Sequence, residues 1–166
     1  MRSKEMYDGA TPSGNSVAAC NLLRLGRITA RPEYEALAEG TFKAFAGNVD
    51  WAPSGFTQAL IGLDFALGPT FEVVVAGAPG AEDTRAMLRA LHEPFLPAKV
   101  VVFRPDGPDD GEPAIVRLAP YTRAQGAVDG KATAYVCRNY ACQAPTTDVA
   151  TMLEHLRPPA GKEPGD

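Results

Sequence analysis

Two clusters of reactive side chains stand out in this sequence. Cys137 and Cys142 enclose Arg-Asn-Tyr-Ala, a Cys-x4-Cys spacing that directly follows an apolar run. A pair so spaced can close a redox disulfide, supply half of a metal site, or be two structural thiols. Arg138 beside Cys137 favours the thiolate, whereas burial at a strand end raises the thiol pKa, and the two effects are comparable. A disulfide also requires residues 138–141 to fold back, while an extended strand carries the chain onward at about 3.3 Å per residue. Both cysteines are therefore expected to be reduced and slow to alkylate. The second cluster is Tyr7-Asp-Gly-Ala-Thr-Pro-Ser-Gly-Asn-Ser16. There Asp8, Ser13, Asn15 and Ser16 put hydrogen-bonding groups around a helix start, either as ligand contacts or as an elaborate N-cap.

Other motifs carry less. Gly77-Ala-Pro-Gly80 lies between a strand and a helix, where phosphates bind in parallel sheets. Neither a dinucleotide nor a P-loop pattern is present, Pro79 removes a donor, and Glu82 and Asp83 repel an anion, so a plain turn is expected. The acidic stretch from Arg104 to Pro113 lacks the calcium-loop spacing and reads as a solvated turn. Zinc would have to draw on Cys20, His92 or His155, none at paired spacing, so no metal is expected and no cofactor is implied. His92 suits a helix C-terminus. These residues assign no catalytic group.

The elements that must position them are legible from periodicity. Phe71-Glu-Val-Val-Val-Ala76, a helix with Thr84, Met87, Leu88 and Leu91 on one stripe, and Lys99-Val-Val-Val-Phe103 make a βαβ unit with parallel strands. Such strands are buried on both faces and need helices to cover them. Lys131–Cys137 reads as a third strand, Ala114–Leu118 as a short fourth, and a last helix, capped by Thr147, turns Val149, Met152, Leu153 and Leu156 inward. Three helices are expected before the βαβ unit. Val17, Cys20 or Asn21, and Leu25 mark the first, with Gly26 at its end. Tyr34, Leu37/Ala38, Thr41/Phe42 and Phe45 mark the second, closed by Gly47-Asn48. Phe56, Ala59/Leu60, Leu63 and Leu67 mark the third, over 54–67. The fold class is α/β, with N-terminal helical hairpins (1–68) followed by a small, mainly parallel βαβ sheet covered by helices (69–156). Residues 157–166 read as a disordered tail.

Composition excludes several classes. The 166 residues are 45% hydrophobic with a net charge of −4 and scattered basic residues, which speaks against nucleic acid. There is no run of about 20 apolar residues for a membrane span and no apolar stretch at the N-terminus for a signal peptide. With three cysteines this points to a reducing, cytoplasmic location.

The order Tyr7-Asp-Gly-Ala-x-Pro-Ser-Gly-Asn-Ser-Val-Ala-Ala19, Asn21-Leu-Leu-Arg-Leu25, Tyr135-Val-Cys-Arg-Asn-Tyr-Ala-Cys142 and Pro145-Thr-Thr-Asp148 closely resembles the C-terminal end of the thioredoxin-domain-containing proteins of the spermatogenesis-associated type. The resemblance runs from about Arg2 to Leu156. It implies a thioredoxin-like domain and an N-acylglucosamine 2-epimerase-like helical (α/α) toroid elsewhere in the longer protein, similar to six-hairpin sugar enzymes. This chain would supply the last toroid helices and a terminal α/β element, as a fragment or split-off part. It further implies that the Asp8–Ser16 loop faces a carbohydrate-type ligand cleft. The partners implied are the missing thioredoxin and toroid portion, a second copy of the chain, or a sugar-type small molecule. A free-standing thiol redox protein and a purely structural docking module are the rival readings.

Overall fold

The computed structural model describes residues 5–106 and 111–157. They fall into two compact units divided between Thr70 and Phe71. Among the described residues there are six α-helices and one four-stranded sheet. Of the tail expected over 157–166, residues 158–166 lie outside the described residues, as does the middle of the acidic stretch at 107–110.

The first unit is helical. α1 (Gly14–Thr29) is followed by α2 (Pro32–Trp51), a single 3₁₀ turn at Pro53–Gly55, and α3 (Thr57–Leu67). Pro32 starts α2 without loss, since the first helical position has no partner for an N–H. α2 continues past Gly47-Asn48 to Trp51, and α3 begins at Thr57 rather than at Ser54. Ala38 and Phe42 on α2 and Phe56 and Ala59 at α3 are buried as expected, whereas the inner face of α1 and the ends of the other two stripes differ. The buried positions are Ser16, Ala19, Leu23 and Gly26 on α1, Ala38 and Phe42 on α2, and Ala59, Gly62 and Phe65 on α3. Val17, Leu25, Leu37 and Leu67 are left outside. Small residues explain the inversion, because they let the helix backbones approach closely. A Cβ on Gly62 would come within 2.8 Å of both Cys20 Sγ and Phe42 Cζ. One on Gly26 would strike Glu35, which instead pairs with Arg27 at 2.8 Å.

The second unit holds the sheet, formed by β1 (Phe71–Gly77), β2 (Lys99–Pro105), β3 (Thr133–Arg138) and the two-residue β4 (Ala141–Cys142), in the order β2-β1-β3-β4. β1 and β2 are parallel, Val73 opposite Val101, as the crossover helix α4 (Glu82–His92) demands. β3 joins β1 antiparallel, Val136 opposite Val73, and β4 folds back antiparallel on β3. All seven residues of β1 are buried. Phe71, Val73, Val75 and Val136 face Met87, Ala90 and Leu91 of α4 and Met152 and Leu156, the former within and the latter just after α6 (Val149–His155).

Two local expectations are corrected. Ala114–Leu118 is the short helix α5, not a strand. Pro113 sits at its N-cap, and the buried positions Val116 and Ala119 are three apart, a helical rather than an alternating spacing. The cap of α6 is Asp148 rather than Thr147, its Oδ1 accepting from Thr151 N at 2.7 Å. A carboxylate one residue later reaches the orphan N–H groups directly.

The packing gives one substitution opposite signs at two glycines. Gly40 is on the open side of α2 with nothing within 4 Å of an added Cβ. Gly40→Ala should stabilise by the helix-propensity gain of about 1 kcal/mol. Gly62→Ala has the same gain but an overpacking cost of roughly 1–3 kcal/mol, so a net loss of about 1 kcal/mol is expected. Thermal unfolding of both variants checks this, with Tm rising for the first and falling by about 2–4 °C for the second.

Candidate functional site

In the helical unit the Asp8–Ser16 loop is a clasp between two helix starts. Asp8 is only 7% exposed. Its Oδ1 accepts from Ser13 N at 2.8 Å, and its Oδ2 accepts from Gln58 N at 2.9 Å and Ala59 N at 3.1 Å. Gln58 and Ala59 are the second and third residues of α3, whose own N-cap is Phe56 and offers no side-chain acceptor. Asp8 therefore caps α3 from fifty residues away in sequence, satisfying donors that every helix start leaves unpaired. Its own N–H donates to Gly55 O at 2.8 Å. Ser13 caps α1, its Oγ accepting from Ser16 N at 3.1 Å and lying 2.9 Å from Ser16 Oγ. Ser16 Oγ donates to Met6 O at 3.3 Å, and Asn15 Nδ2 donates to Glu5 O at 2.5 Å. The Tyr7 ring stands edge-on to Phe56 with centroids 6.0 Å apart. The structure thus brings Asp8, Ser13, Asn15 and Ser16 together, each engaged by the chain itself.

Toward the other ends of α1 and α3, these helices and α2 leave an open groove of about 990 Å³, with Leu23, Phe42, Leu63, Phe65 and Leu67 along it and Lys43 among its charged lining residues. Leu67 is 84% exposed. The groove is apolar at its base and charged at its rim.

In the sheet unit the two cysteines are joined, Sγ to Sγ at 2.01 Å, which corrects the expectation of reduced thiols. The extension expected beyond Cys137 stops one residue later. Asn139 and Tyr140 both have positive φ, 49° and 66°, and turn the chain back so that Cys142 lies opposite Cys137. Two left-handed residues in succession make the tight hairpin turn whose twist matches paired strands. Asparagine tolerates that conformation and tyrosine adopts it only at a cost, so these residue types, with no glycine among them, did not signal the turn.

The periodicity reading also passed over Glu72. It lies in the middle of the apolar run of β1, is 5% exposed, and stands directly opposite Cys137 in the β1–β3 pairing. Tyr140 N, inside the disulfide loop, donates to its Oε2 at 3.0 Å. Burial and the Glu72 charge together push the Tyr121 hydroxyl up to about 12. A lone acid within a strand otherwise made of Phe, Val, Ala and Gly was the available signal. The Gly77–Gly80 segment forms a turn in which a side chain on Gly77 would run into the Thr84 hydroxyl, and Asp83 Oδ2 accepts from Ala132 N at 2.8 Å. Among the described residues no group of three or more His, Cys, Asp and Glu is placed to hold a metal ion, and no helix is long and apolar enough to cross a membrane.

Burial raises the Asp8 carboxyl pKa, but hydrogen bonds from Ser13, Ala59, Ser16 and Gln58 outweigh it and hold the group below the ordinary carboxylate value. A depressed folded-state pKa contributes stability above the unfolded value near 3.9, lost as pH falls through the folded one. Asp8→Asn should therefore cost about 3 kcal/mol at pH 7, the scale of hydrogen bonds to a charged group. Urea unfolding from pH 7 to pH 2 checks it, the gap between variant and parent closing below about pH 4.

No family model matches the sequence, and no solved structure matches it. It is 31% identical over 160 residues to human spermatogenesis-associated protein 20, covering 95% of this chain and 20% of that protein. It is 32% identical over 158 residues to the rat protein of the same name and to the mouse one, covering 94% of this chain and 19% of each. The chain spans about one fifth of the length of the curated relatives it matches. Along nearly its whole length the chain is homologous to one part of spermatogenesis-associated protein 20, consistent with a C-terminal region of that family.

Proposed function

We propose that the chain acts as a non-catalytic, C-terminal domain of a larger protein, its helical unit packing against further helices of that protein through the groove between α1, α2 and α3. The observation that carries this reading is the groove itself. Helices that bury their small residues leave Leu67 exposed and Leu63 half-buried along the groove, more apolar surface than three helices can cover, and such patches mark contact surfaces. Support for another part of the same protein as the occupant comes from the relatives, of which four fifths lies outside the matched part. The rim charges Arg27, Glu35, Glu39, Lys43 and Asp50 would lie around such a contact.

A carbohydrate-type ligand belongs to this proposal only at the level of the whole protein. The hydrogen bonds within the Asp8–Ser16 loop favour a wall that shapes a cleft over a set of groups that grasp a sugar. The alternative occupant of the groove is a second copy of the chain.

The isolated chain should bind a hydrophobic dye and self-associate at high concentration. Phe42 and Phe56 contribute little to this, since both are buried within the unit. Leu63→Glu combined with Leu67→Glu should abolish both signals while leaving far-UV circular dichroism unchanged. Analytical ultracentrifugation with dye titration tests this, and a monodisperse, dye-silent parent chain would remove the basis of the proposal. Adding the preceding helical part of the longer protein should suppress the dye signal, whereas suppression by self-association alone would favour the second copy.

A further inference from the structure

We propose that Cys137 and Cys142 form a reversible thiol–disulfide exchange site in which exposed Cys142 meets an external thiol, buried Cys137 resolves the mixed disulfide, and Glu72 takes up the Cys137 proton. Three observations carry this. The two sulfurs differ in access, Cys137 being 6% exposed and Cys142 lying at the surface on β4. The pair sits on a two-residue turn at the end of the sheet, so opening the bond needs no change in β1 or β2. And the buried carboxylate of Glu72 is the cross-strand neighbour of Cys137, already fixed to the disulfide loop through Tyr140 N.

In the reducing direction an external thiolate attacks Cys142 Sγ. The Cys137–Cys142 bond breaks, and Cys137 leaves as a thiolate that is then protonated. A second external thiolate attacks the external sulfur of the mixed disulfide and releases reduced Cys142. Two thiols are oxidised to one disulfide and the protein disulfide takes up two electrons. In the oxidising direction Cys142 carries the external sulfur, Glu72 accepts the Cys137 proton, and Cys137 attacks Cys142 Sγ. The external thiolate then leaves. The co-reactant is a thiol–disulfide couple, and glutathione serves as the probe. Arg138 follows Cys137 in the strand, so its side chain falls on the opposite side of the pleat, and Glu72 is the titratable residue directly opposite Cys137 in the pairing. Tyr121 is the further titratable group beside Glu72.

The test uses the whole chain in mixtures of reduced and oxidised glutathione under native conditions, quenched with iodoacetamide and mapped by mass spectrometry, with Cys20 followed on its own peptide. The expected result is reversible reduction with far-UV circular dichroism retained, and alkylation of Cys142 before Cys137. Cys137→Ser should accumulate the Cys142–glutathione mixed disulfide. Glu72→Gln, which keeps an acceptor for Tyr140 N–H, should prolong the mixed disulfide by about tenfold or more while leaving the alkylation rate of Cys142 unchanged. A purely structural Glu72 would change both rates or neither. Reduction that occurs only as the chain unfolds overturns the proposal, as does resolution at the parent rate in Glu72→Gln. If that variant does not fold, the order of alkylation in the parent chain decides, and Cys137 reacting first or equally overturns it.

Discussion

A carboxylate buried in the central strand is the constraint on which the sheet unit depends. β1 is inaccessible along its whole length, yet its second residue is Glu72. Removing an ionised carboxylate from water costs several kcal/mol, and a hydrogen bond to the charged group returns about 1.5–3 kcal/mol of it. The chain therefore has to bring donors to this point, and Tyr140 N is one of them. That donor reaches Glu72 from a turn in which a tyrosine adopts a left-handed conformation, itself costing on the order of 1–3 kcal/mol. The bond between Cys137 and Cys142 closes the loop that contains the turn. A polar demand in β1 thus accounts for a hairpin that local preference alone would not form.

The helical unit repeats the principle with Asp8. Its two oxygens accept from the first turns of separate segments, Ser13 before α1 and Gln58 and Ala59 in α3. Helix starts leave donors that must be satisfied, and a charged acceptor does so more strongly than a neutral one. Because the acceptor arrives from a loop rather than from either helix, it fixes the approach of one helix to the other. The close contact at Gly62 then settles which faces can meet, and the large apolar residues are turned outward as a result.

What the sequence disclosed follows from this division of labour. Runs such as Val73–Val75 and Val100–Val102 pair where their β-branched composition put them, because strand burial is a matter of composition. The helices are present, and Ala38, Phe42, Phe56 and Ala59 are buried as their periodicity implies, but the inner face of α1 is not the one its large apolar residues mark. Counting large apolar residues misses a contact built on Ser16, Ala19, Gly26 and Gly62, where close backbone approach outweighs side-chain area. The α5 segment misled for the opposite reason, since Ile115 and Val116 suggest a strand to anyone not weighing Pro113. Of the site residues, Asp8 and the two cysteines were evident from type and spacing. Their connections were not, for Asp8 acts across fifty residues and the cysteines meet through a turn without glycine. Glu72 was hidden by its neighbours, as one charge in an apolar run is easily absorbed into the pattern.

The segment after the hairpin has a consequence for the sheet as a whole. Beyond Cys142 the chain stays beside β3, with Gln143 N donating to Val136 O at 2.9 Å and Ala134 exchanging both backbone bonds with Thr146. This strap is too irregular to count as a full strand, yet it occupies the peptide groups that β3 would otherwise present to solvent. A bare row of such groups is a template onto which another polypeptide can add. The cross-link at Cys137 and Cys142 anchors the start of the strap, so the same bond that shapes the turn also keeps this border of the sheet closed to foreign strands.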